Sequence, residues 1–290
     1  MSVFLLKLIA VVSMFIDHLT YVLRLSGQLP YGQLYIAGRA IGRPAFVIYC
    51  FLLVNGFDKT SNRKKYLFRL ITFAVISQLP FTLAFTGGNH QMLASAAFSF
   101  DALKVLPLLI PLVIVFFLVC DRRFEPGLLW MAAAFVLSGI RLELGGARLL
   151  DYHANVFYTL AAGMAAMMAL EYLRSEERSW PRALALLAAL GIELVFVQRD
   201  ADYALIGVAL IVALYLCRGR RPLQLLVAAL WCLAEYQLYW PYLGGALAAL
   251  LPIALYNGKL GRKMRSFFYV FYPAHLALLG VVFVFLSRIG

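Results

Sequence analysis

The chain has 290 residues, of which 63% are hydrophobic and only 14% are charged. This balance exceeds what the core of a water-soluble domain of this length needs, so it excludes a soluble protein and predicts a membrane protein. The net charge of +12 does not indicate nucleic acid as a partner, because basic residues in a membrane protein mark its cytoplasmic face.

The first predicted helix is an apolar run over residues 3–25 that is long enough to span a bilayer. It carries Asp17 and His18, two residues that helix formation does not require. No small-residue cleavage site follows this run, so the sequence predicts a retained first span rather than a removed signal peptide.

Apolar runs continue along the chain, and the set predicts an all-α fold, a polytopic transmembrane bundle of about 11 helices in a single domain over residues 1–290. The predicted spans are 3–25, 35–57, 66–86, 103–120, 128–140, 155–173, 183–197, 203–217, 222–238, 242–256 and 266–287. Two of them, 128–140 and 203–217, are short for a hydrocarbon core of about 30 Å, so a re-entrant path is an alternative for either.

Basic residues are concentrated in alternate connections between these spans. The basic connections contain "DKTSNRKKYLFR", "DRRFEPG", "LRSEERSWPR", "CRGRRP" and "NGKLGRKMR", and with Lys7 they hold 18 of the 26 Lys and Arg residues. Cytoplasmic loops of membrane proteins are enriched in basic residues, so we predict a cytoplasmic amino terminus and an outer carboxyl terminus. This alternation requires both short spans to cross.

Motifs for soluble chemistry do not occur in the sequence. The four cysteines form no close pair, which argues against disulfides and against a metal site. There is also no Gly-rich phosphate loop and no soluble domain. Any chemistry is therefore expected inside the membrane, where ionisable residues are costly and usually line a wet cavity or pair with one another.

Asp17 and His18 lie at a similar predicted depth to Arg43, and Arg39 lies four residues before Arg43 on one face of the second span. Adjacent helical residues point about 100° apart, so Asp17 is poorly placed to orient His18. We expect Arg43 or Arg39 to neutralise Asp17 and leave His18 free to act as a base. The alternative is a buried Asp–Arg pair that only fixes helix packing.

A basic loop near the carboxyl end predicts a second candidate site. Together with its two glycines, the loop could hold a phosphorylated ligand through backbone amides and cationic side chains; the alternative is an ordinary cytoplasmic anchor. His275 lies about 13 Å above this loop, and its neighbour Pro273 breaks helices, which predicts a cavity there. The residues of this candidate site are Asn257, Lys259, Arg262 and Lys263, with Tyr272 and His275 above them.

Several stretches, taken in order, resemble the TraX family, whose namesake acetylates the amino terminus of conjugative pilin. They are "IDH", "GRAIGRPAFVIYCFLLVNGF", "NRKKYLFRLITFAVISQLPF", "NVFYTLAAGM", "DADYALIGVALIVALYL" and "LYNGKLGRKMRSFFYVFYPAHL". The family is also similar to a broader group of transmembrane acyltransferases. The resemblance implies an enzyme of the bacterial inner membrane, surrounded by membrane lipids, that moves acetyl groups from cytoplasmic acetyl-CoA to an acceptor at the outer face without a metal.

The resemblance also implies roles for individual residues. His18 corresponds to the catalytic base and Asp17 to its supporting acid. The groups that stabilise charge or contact the donor are Arg39 and Arg43, and the cavity residues are Tyr272 and His275. The implied acceptor is an amine or hydroxyl, on a pilin-like subunit or a surface glycan.

The chain departs from the family pattern at residues 87–150. In the family, the "SQLPF" helix leads directly into the "NVFYTL" helix, whereas this interval is predicted to hold an insertion of two helices. An even number of inserted helices preserves the orientation of every later span.

Two other functions stay open from the residues. A secondary transporter of a small anion would also use buried Asp, His and Arg, but it predicts internal duplication and paired broken helices, which the sequence does not clearly show. A catalytically silent assembly factor for surface appendages is the third possibility. Thioester hydrolysis by pure protein separates it from an acetyltransferase.

Overall fold

The computed structural model describes residues 1–85, 96–100, 140–144, 147–148, 154–176, 201–262 and 265–286, and single positions between 180 and 198. Helices make up most of this part of the chain. They are α1 (Val3–Leu25), α2 (Gln33–Gly42), α3 (Pro44–Lys59), α4 (Arg63–Phe85), α5 (Val156–Arg174), α6 (Ala204–Leu216), α7 (Arg221–Tyr236), α8 (Trp240–Leu247), α9 (Leu250–Ala254) and α10 (Arg265–Leu286).

Five helical segments of the described chain are long and apolar enough to cross a membrane, which supports the predicted membrane protein. They are Val3–Leu25, Gln33–Lys59, Arg63–Phe85, Val156–Arg174 and Phe267–Leu286; two shorter apolar helices are Ala204–Leu216 and Trp240–Ala254. Large apolar side chains such as Leu251, Val281 and Phe285 are exposed on them. Exposed apolar surface of this kind is what a bilayer would cover.

The predicted spans coincide closely with the observed helices wherever the structure describes the chain. The first predicted span, 3–25, has the bounds of α1, and the described positions between 180 and 198 are helical, as the predicted span 183–197 requires. The predicted spans 103–120 and 128–140 lie outside the described residues, apart from the last residue of the second. The count of about 11 helices therefore stays a prediction.

Three short strands are an exception to the predicted all-α fold. β1 (Ala96–Phe100) pairs antiparallel with β2 (Ile140–Leu144), which pairs antiparallel with β3 (Ala147–Arg148). The β2 sequence "IRLEL" alternates apolar and charged residues, and two glycines separate it from β3. Alternation with a period of two followed by Gly-Gly is typical of a hairpin. This hairpin was not predicted from the sequence, because long apolar runs lie on either side of it.

The chain divides into two compact units. The first comprises Met1–Gly56, Pro80–His90 and Ala213–Gly290, and the second comprises Phe57–Leu79 and Gln91–Val212. All the described residues of the candidate sites belong to the first unit.

Glycines allow α2 to pack closely between α1 and α8 in the first unit. A Cβ atom added at Gly42 would lie 2.2 Å from Asp17 Cβ, and one added at Gly245 would lie 2.1 Å from the carbonyl oxygen of Ala40. A Cβ atom added at Gly38 would lie 2.3 Å from Thr20 Oγ1 on α1. Gly38 and Gly42 therefore form a Gly-x-x-x-Gly face toward α1. Small residues at this spacing let helix backbones approach closely in membranes.

In the second unit, the start of α5 is fixed to α4 by buried amide groups. The Asn155 side chain is fully buried and donates to the carbonyl oxygen of Ala74 at 2.7 Å and to Gln78 Oε1 at 2.9 Å. Its own Oδ1 accepts from the N–H of Phe157 and so caps α5. These bonds satisfy donors that burial would otherwise leave unpaired.

Candidate functional site

The Asp17 carboxylate on α1 is bound by two arginines from α2 and its C-cap. Arg39 Nη1 donates to Oδ2 at 2.8 Å, and Arg43 Nη2 donates to Oδ1 at 3.2 Å. The three side chains are only 15%, 19% and 12% exposed, in the order Asp17, Arg39, Arg43. The predicted pairing across helices is confirmed, and both arginines take part instead of one.

The segment "GRAIGR" builds this arrangement by repeating Gly-Arg at an interval of four residues. Gly38 and Gly42 face α1 and remove the side chains that would hold the two helices apart. Each arginine follows its glycine directly and so reaches the same carboxylate from one side. The Arg39 guanidinium also lies 4.8 Å from the centre of the Tyr21 ring, and that of Arg43 lies 5.0 Å from the Tyr242 ring, which are cation–π distances.

His18 forms a hydrogen bond with His275 of α10. His18 Nδ1 lies 2.8 Å from His275 Nε2, and His275 Nδ1 lies 2.8 Å from the carbonyl oxygen of Phe271. The two imidazole rings are almost parallel, at 10°, with their centres 5.1 Å apart. His18 is partly exposed, whereas His275 is only 4% exposed.

Aromatic rings surround the histidine pair. The Phe85 ring lies at a steep angle of 76° to that of His18, with a centroid distance of 4.9 Å, and the ring of buried Tyr272 lies 6.1 Å from His18. The Phe271 ring stacks on His275 at 4.7 Å and 11°. Tyr272 and His275, both predicted from the "YPAH" stretch to line a cavity, are thus packed against His18.

The sequence reading missed Glu235 and Phe85. Glu235 of α7 is half-buried and within electrostatic reach of Arg43. It lies inside the predicted span 222–238, so the rule that identified Asp17, that charged residues within spans are functional candidates, would have found it. Phe85 had no such signal, because apolar aromatic residues are common throughout the chain.

The basic loop between α9 and α10 lies at the start of α1, away from His18. The carbonyl oxygens of Lys259 and Leu260 accept from the N–H groups of Val3 and Phe4, at 2.9 and 3.1 Å. The loop therefore caps a helix start whose N–H groups have no partner within the helix. His18 follows Val3 by 15 residues, which corresponds to about 22 Å along α1.

Two of the loop amides predicted to hold a phosphate already have partners. The N–H of Asn257 donates to the carbonyl oxygen of Met1 at 2.9 Å, and the N–H of Lys259 donates to Asn257 Oδ1 at 3.1 Å. The side chains of Lys259 and Arg262 are exposed, and Lys263 lies outside the described residues. Any phosphate at this loop would therefore depend chiefly on cationic side chains.

The centre at Asp17 and His18 places an imidazole beside two arginine side chains. Two guanidinium groups face one Asp17 carboxylate, and His18 is its neighbour on the same helix. Such a site can accept a proton at an imidazole and stabilise a developing oxyanion with an arginine. The described residues contain no group of three or more His, Cys, Asp or Glu side chains that could hold a metal ion.

Comparison with known proteins gives the family. Residues 2–146 and 105–283 match the family model described as "TraX protein". The chain belongs to the TraX family. This TraX chain is also 29% identical over 298 residues to the "Probable fimbrial assembly protein FimC, serogroup H1" of Dichelobacter nodosus, an alignment that covers 99% of the chain and 97% of the relative. No solved structure matches the chain. The resemblance drawn from the sequence motifs is therefore confirmed.

Proposed function

We propose that this TraX-family protein is a membrane-embedded acetyltransferase that moves an acetyl group from acetyl-CoA to an acceptor amine or hydroxyl. The observation that carries the proposal is the position of His18 beside an Asp17 carboxylate whose two oxygens are both bound by arginines. Ionic groups are an expensive way to pack helices in lipid. A partly exposed histidine next to this cluster supports a chemical role over a packing role.

In the proposed reaction, His18 removes the proton from the acceptor N–H or O–H as the acceptor attacks the acetyl carbonyl carbon. The bond from carbon to the CoA sulfur then breaks, and the proton on His18 passes to the departing thiolate. The products are the acetylated acceptor and free CoA. A covalent acetyl-histidine formed on His18 is the variant mechanism.

The arginines supply the stabilising charge in this mechanism. As the acetyl carbonyl is attacked, negative charge develops on its oxygen, and a guanidinium held in place beforehand stabilises that charge in a site of low dielectric constant. We assign this role to Arg43 because its contact with Asp17, at 3.2 Å, is longer than the contact of Arg39 with Asp17, at 2.8 Å. Asp17 keeps both arginines in position.

Acetyl-CoA is proposed to bind with its phosphates at the cytoplasmic end and its thioester near His18. The start of α1 lies beside the exposed Lys259 and Arg262, and about 22 Å of helix separates it from His18. The long pantetheine arm of coenzyme A suits such a distance. This placement requires a cytoplasmic amino terminus in a bacterial inner membrane, as the basic loops predict.

The acceptor is proposed to be a pilin-like or fimbrial subunit. The support is the family and the printed name of the relative, a probable fimbrial assembly protein. A surface glycan is the other acceptor class. Mass spectrometry of surface proteins and glycans from cells with and without the gene tests the choice: we expect a loss of 42 Da from one subunit amino terminus, and an unchanged surface proteome with altered glycans would reject it.

The same relative favours a second candidate, an assembly factor without catalysis. The two candidates differ in what the purified protein does with acetyl-CoA and acceptor. An acetyltransferase releases one thiol for each acetyl group transferred, whereas a silent assembly factor releases none. Absence of thiol release with every surface subunit and glycan fraction, from a preparation that restores assembly in cells, would reject the enzyme.

A further inference from the structure

We propose that His275 is a positioning residue that holds His18 in the tautomer whose Nε2 is an unprotonated base. This inference rests on the proposed acetyl transfer. It assigns to His275 a role distinct from lining a cavity. It also explains how His18 is oriented when both oxygens of the neighbouring Asp17 are bound by arginines.

The tautomer of His275 follows from its backbone partner. The carbonyl oxygen of Phe271 can only accept a hydrogen bond, so His275 Nδ1, 2.8 Å away, must carry a proton and donate it. In a neutral imidazole the other ring nitrogen then has a lone pair and no proton. His275 Nε2 is therefore an acceptor.

The tautomer of His18 follows from that of His275. His18 Nδ1 lies 2.8 Å from His275 Nε2, so His18 must provide the proton for this bond. Its Nδ1 is then protonated, and its Nε2 is left with a lone pair. A base needs such a lone pair, and the opposite tautomer of His18 would present an N–H to the acceptor instead.

Packing keeps the pair in this geometry. His275 is 4% exposed, its ring is nearly parallel to those of His18 and Phe271, and the Phe15 ring lies at a centroid distance of 6.2 Å. A side chain confined in this way loses little further entropy when it orients its partner. His275 can thus orient His18 accurately without contacting the acceptor or the acetyl group.

During the reaction His275 would also stabilise charge. When His18 Nε2 takes the acceptor proton, His18 becomes an imidazolium, and its Nδ1–H bond to His275 Nε2 becomes charge-assisted and stronger. The proton then leaves from Nε2 to the CoA thiolate, and the pair returns to its starting tautomers. The proton on His275 Nδ1 stays in its hydrogen bond to the Phe271 carbonyl oxygen at every step.

Kinetics on purified variants test this role. His275→Leu fills the space but removes the acceptor for His18 Nδ1, and we expect kcat to fall about 10- to 100-fold with the KM for acetyl-CoA almost unchanged. His275→Gln places a carbonyl oxygen near the former Nε2 and should recover most of the rate. In a His18→Ala background, His275→Leu should cost almost nothing further, because a positioning residue acts only through its partner.

A spectroscopic measurement tests the tautomer without any activity. The chain has four histidines, so ¹⁵N-histidine NMR of the full protein in detergent, with His18→Ala for assignment, can identify the protonated nitrogen of each ring. We expect Nδ1–H and a bare Nε2 for His18, and a mixture of tautomers after His275→Leu. The opposite tautomer in the native protein would overturn the inference even if a variant failed to fold.

The outcomes separate this inference from the proposed function. If the native protein transfers acetyl groups and His275→Leu has native kcat, the positioning role is wrong and the acetyltransferase stands. If the native protein transfers none with any acceptor while His18 shows the expected tautomer, the proposed function fails and the hydrogen-bond geometry stands.

Discussion

His18 Nδ1 lies 2.8 Å from His275 Nε2, although the two residues are 257 positions apart in the chain. The bond joins the first described helix, α1, to the last, α10. Asp17, the neighbour of His18 on α1, is bound by two arginines from α2 and its C-cap. The candidate base therefore has a neighbour that can orient it and a separate neighbour that supplies charge.

Arg43→Gln should lower kcat about 10²-fold, because the loss of one charged donor to an oxyanion costs about this much. The KM for acetyl-CoA should change far less if Arg43 stabilises only the transition state. Arg24→Gln is the matched control, since Arg24 is an exposed arginine at the end of α1. Steady-state kinetics on the purified variants make the comparison. A raised KM with native kcat would mean that Arg43 contacts the donor instead.

Gly245→Ala should destabilise the protein by about 1–3 kcal/mol, because overpacking forces backbones apart. The added Cβ would lie 2.1 Å from the Ala40 carbonyl oxygen, on the helix that carries Arg39. Gly244→Ala is the matched control, because a Cβ there has no atom within 4 Å. Thermal unfolding in detergent should show a lower Tm for the first variant alone, and equal Tm values would contradict the observed packing of α8 on α2.

Neutralising Lys259, Arg262 and Lys263 together should raise the KM for acetyl-CoA and affect kcat less. Exposed cations act on the donor phosphates through screened charge, so the native KM should also rise with salt, and the variant should respond less. Kinetics at two salt concentrations provide the measurement. A native KM in the variant at both concentrations would mean that the loop does not bind the donor and serves only to cap α1 and to anchor the topology.

The orientation can be tested with single cysteines in two connections that are predicted to lie on opposite faces of the membrane, after removal of the native cysteines. Ser61→Cys, in the basic connection before α4, should react with an impermeant maleimide only after the inner face is opened. Gln28→Cys, in the connection after α1, should react in intact cells; both positions are exposed. The reverse pattern would overturn the positive-inside assignment and the cytoplasmic donor site with it.

Helices were the most predictable part of the fold, because a bilayer requires long apolar runs and each run has sharp polar ends. The bounds of α1 were predicted to the residue. The interruption at Arg43 was less visible, since the apolar pattern continues from α2 into α3. Pro44 causes it: a proline has no N–H to continue the helical ladder, and α3 begins there.

The candidate site was predictable in part. Asp17, Arg39 and Arg43 could be paired because charged residues at one depth in a membrane must find one another. The bond between His18 and His275 could not be predicted in this way. Counting the helical rise gave His18 a depth of about 22 Å and His275 a depth of about 13 Å, so the two residues were not expected to meet. The count differs from the structure because it includes neither helix tilt nor any offset between the helix starts.

The central claim is that His18 is the base of an acetyl transfer, and the most direct measurement is the rate of labelled acetyl transfer from acetyl-CoA by purified His18→Ala protein. Val12→Ala is the matched control, since it shortens an exposed side chain on the same helix. We predict a loss of at least about 10²-fold for His18→Ala and native turnover for Val12→Ala, with normal insertion of both. Native turnover by His18→Ala would contradict the account.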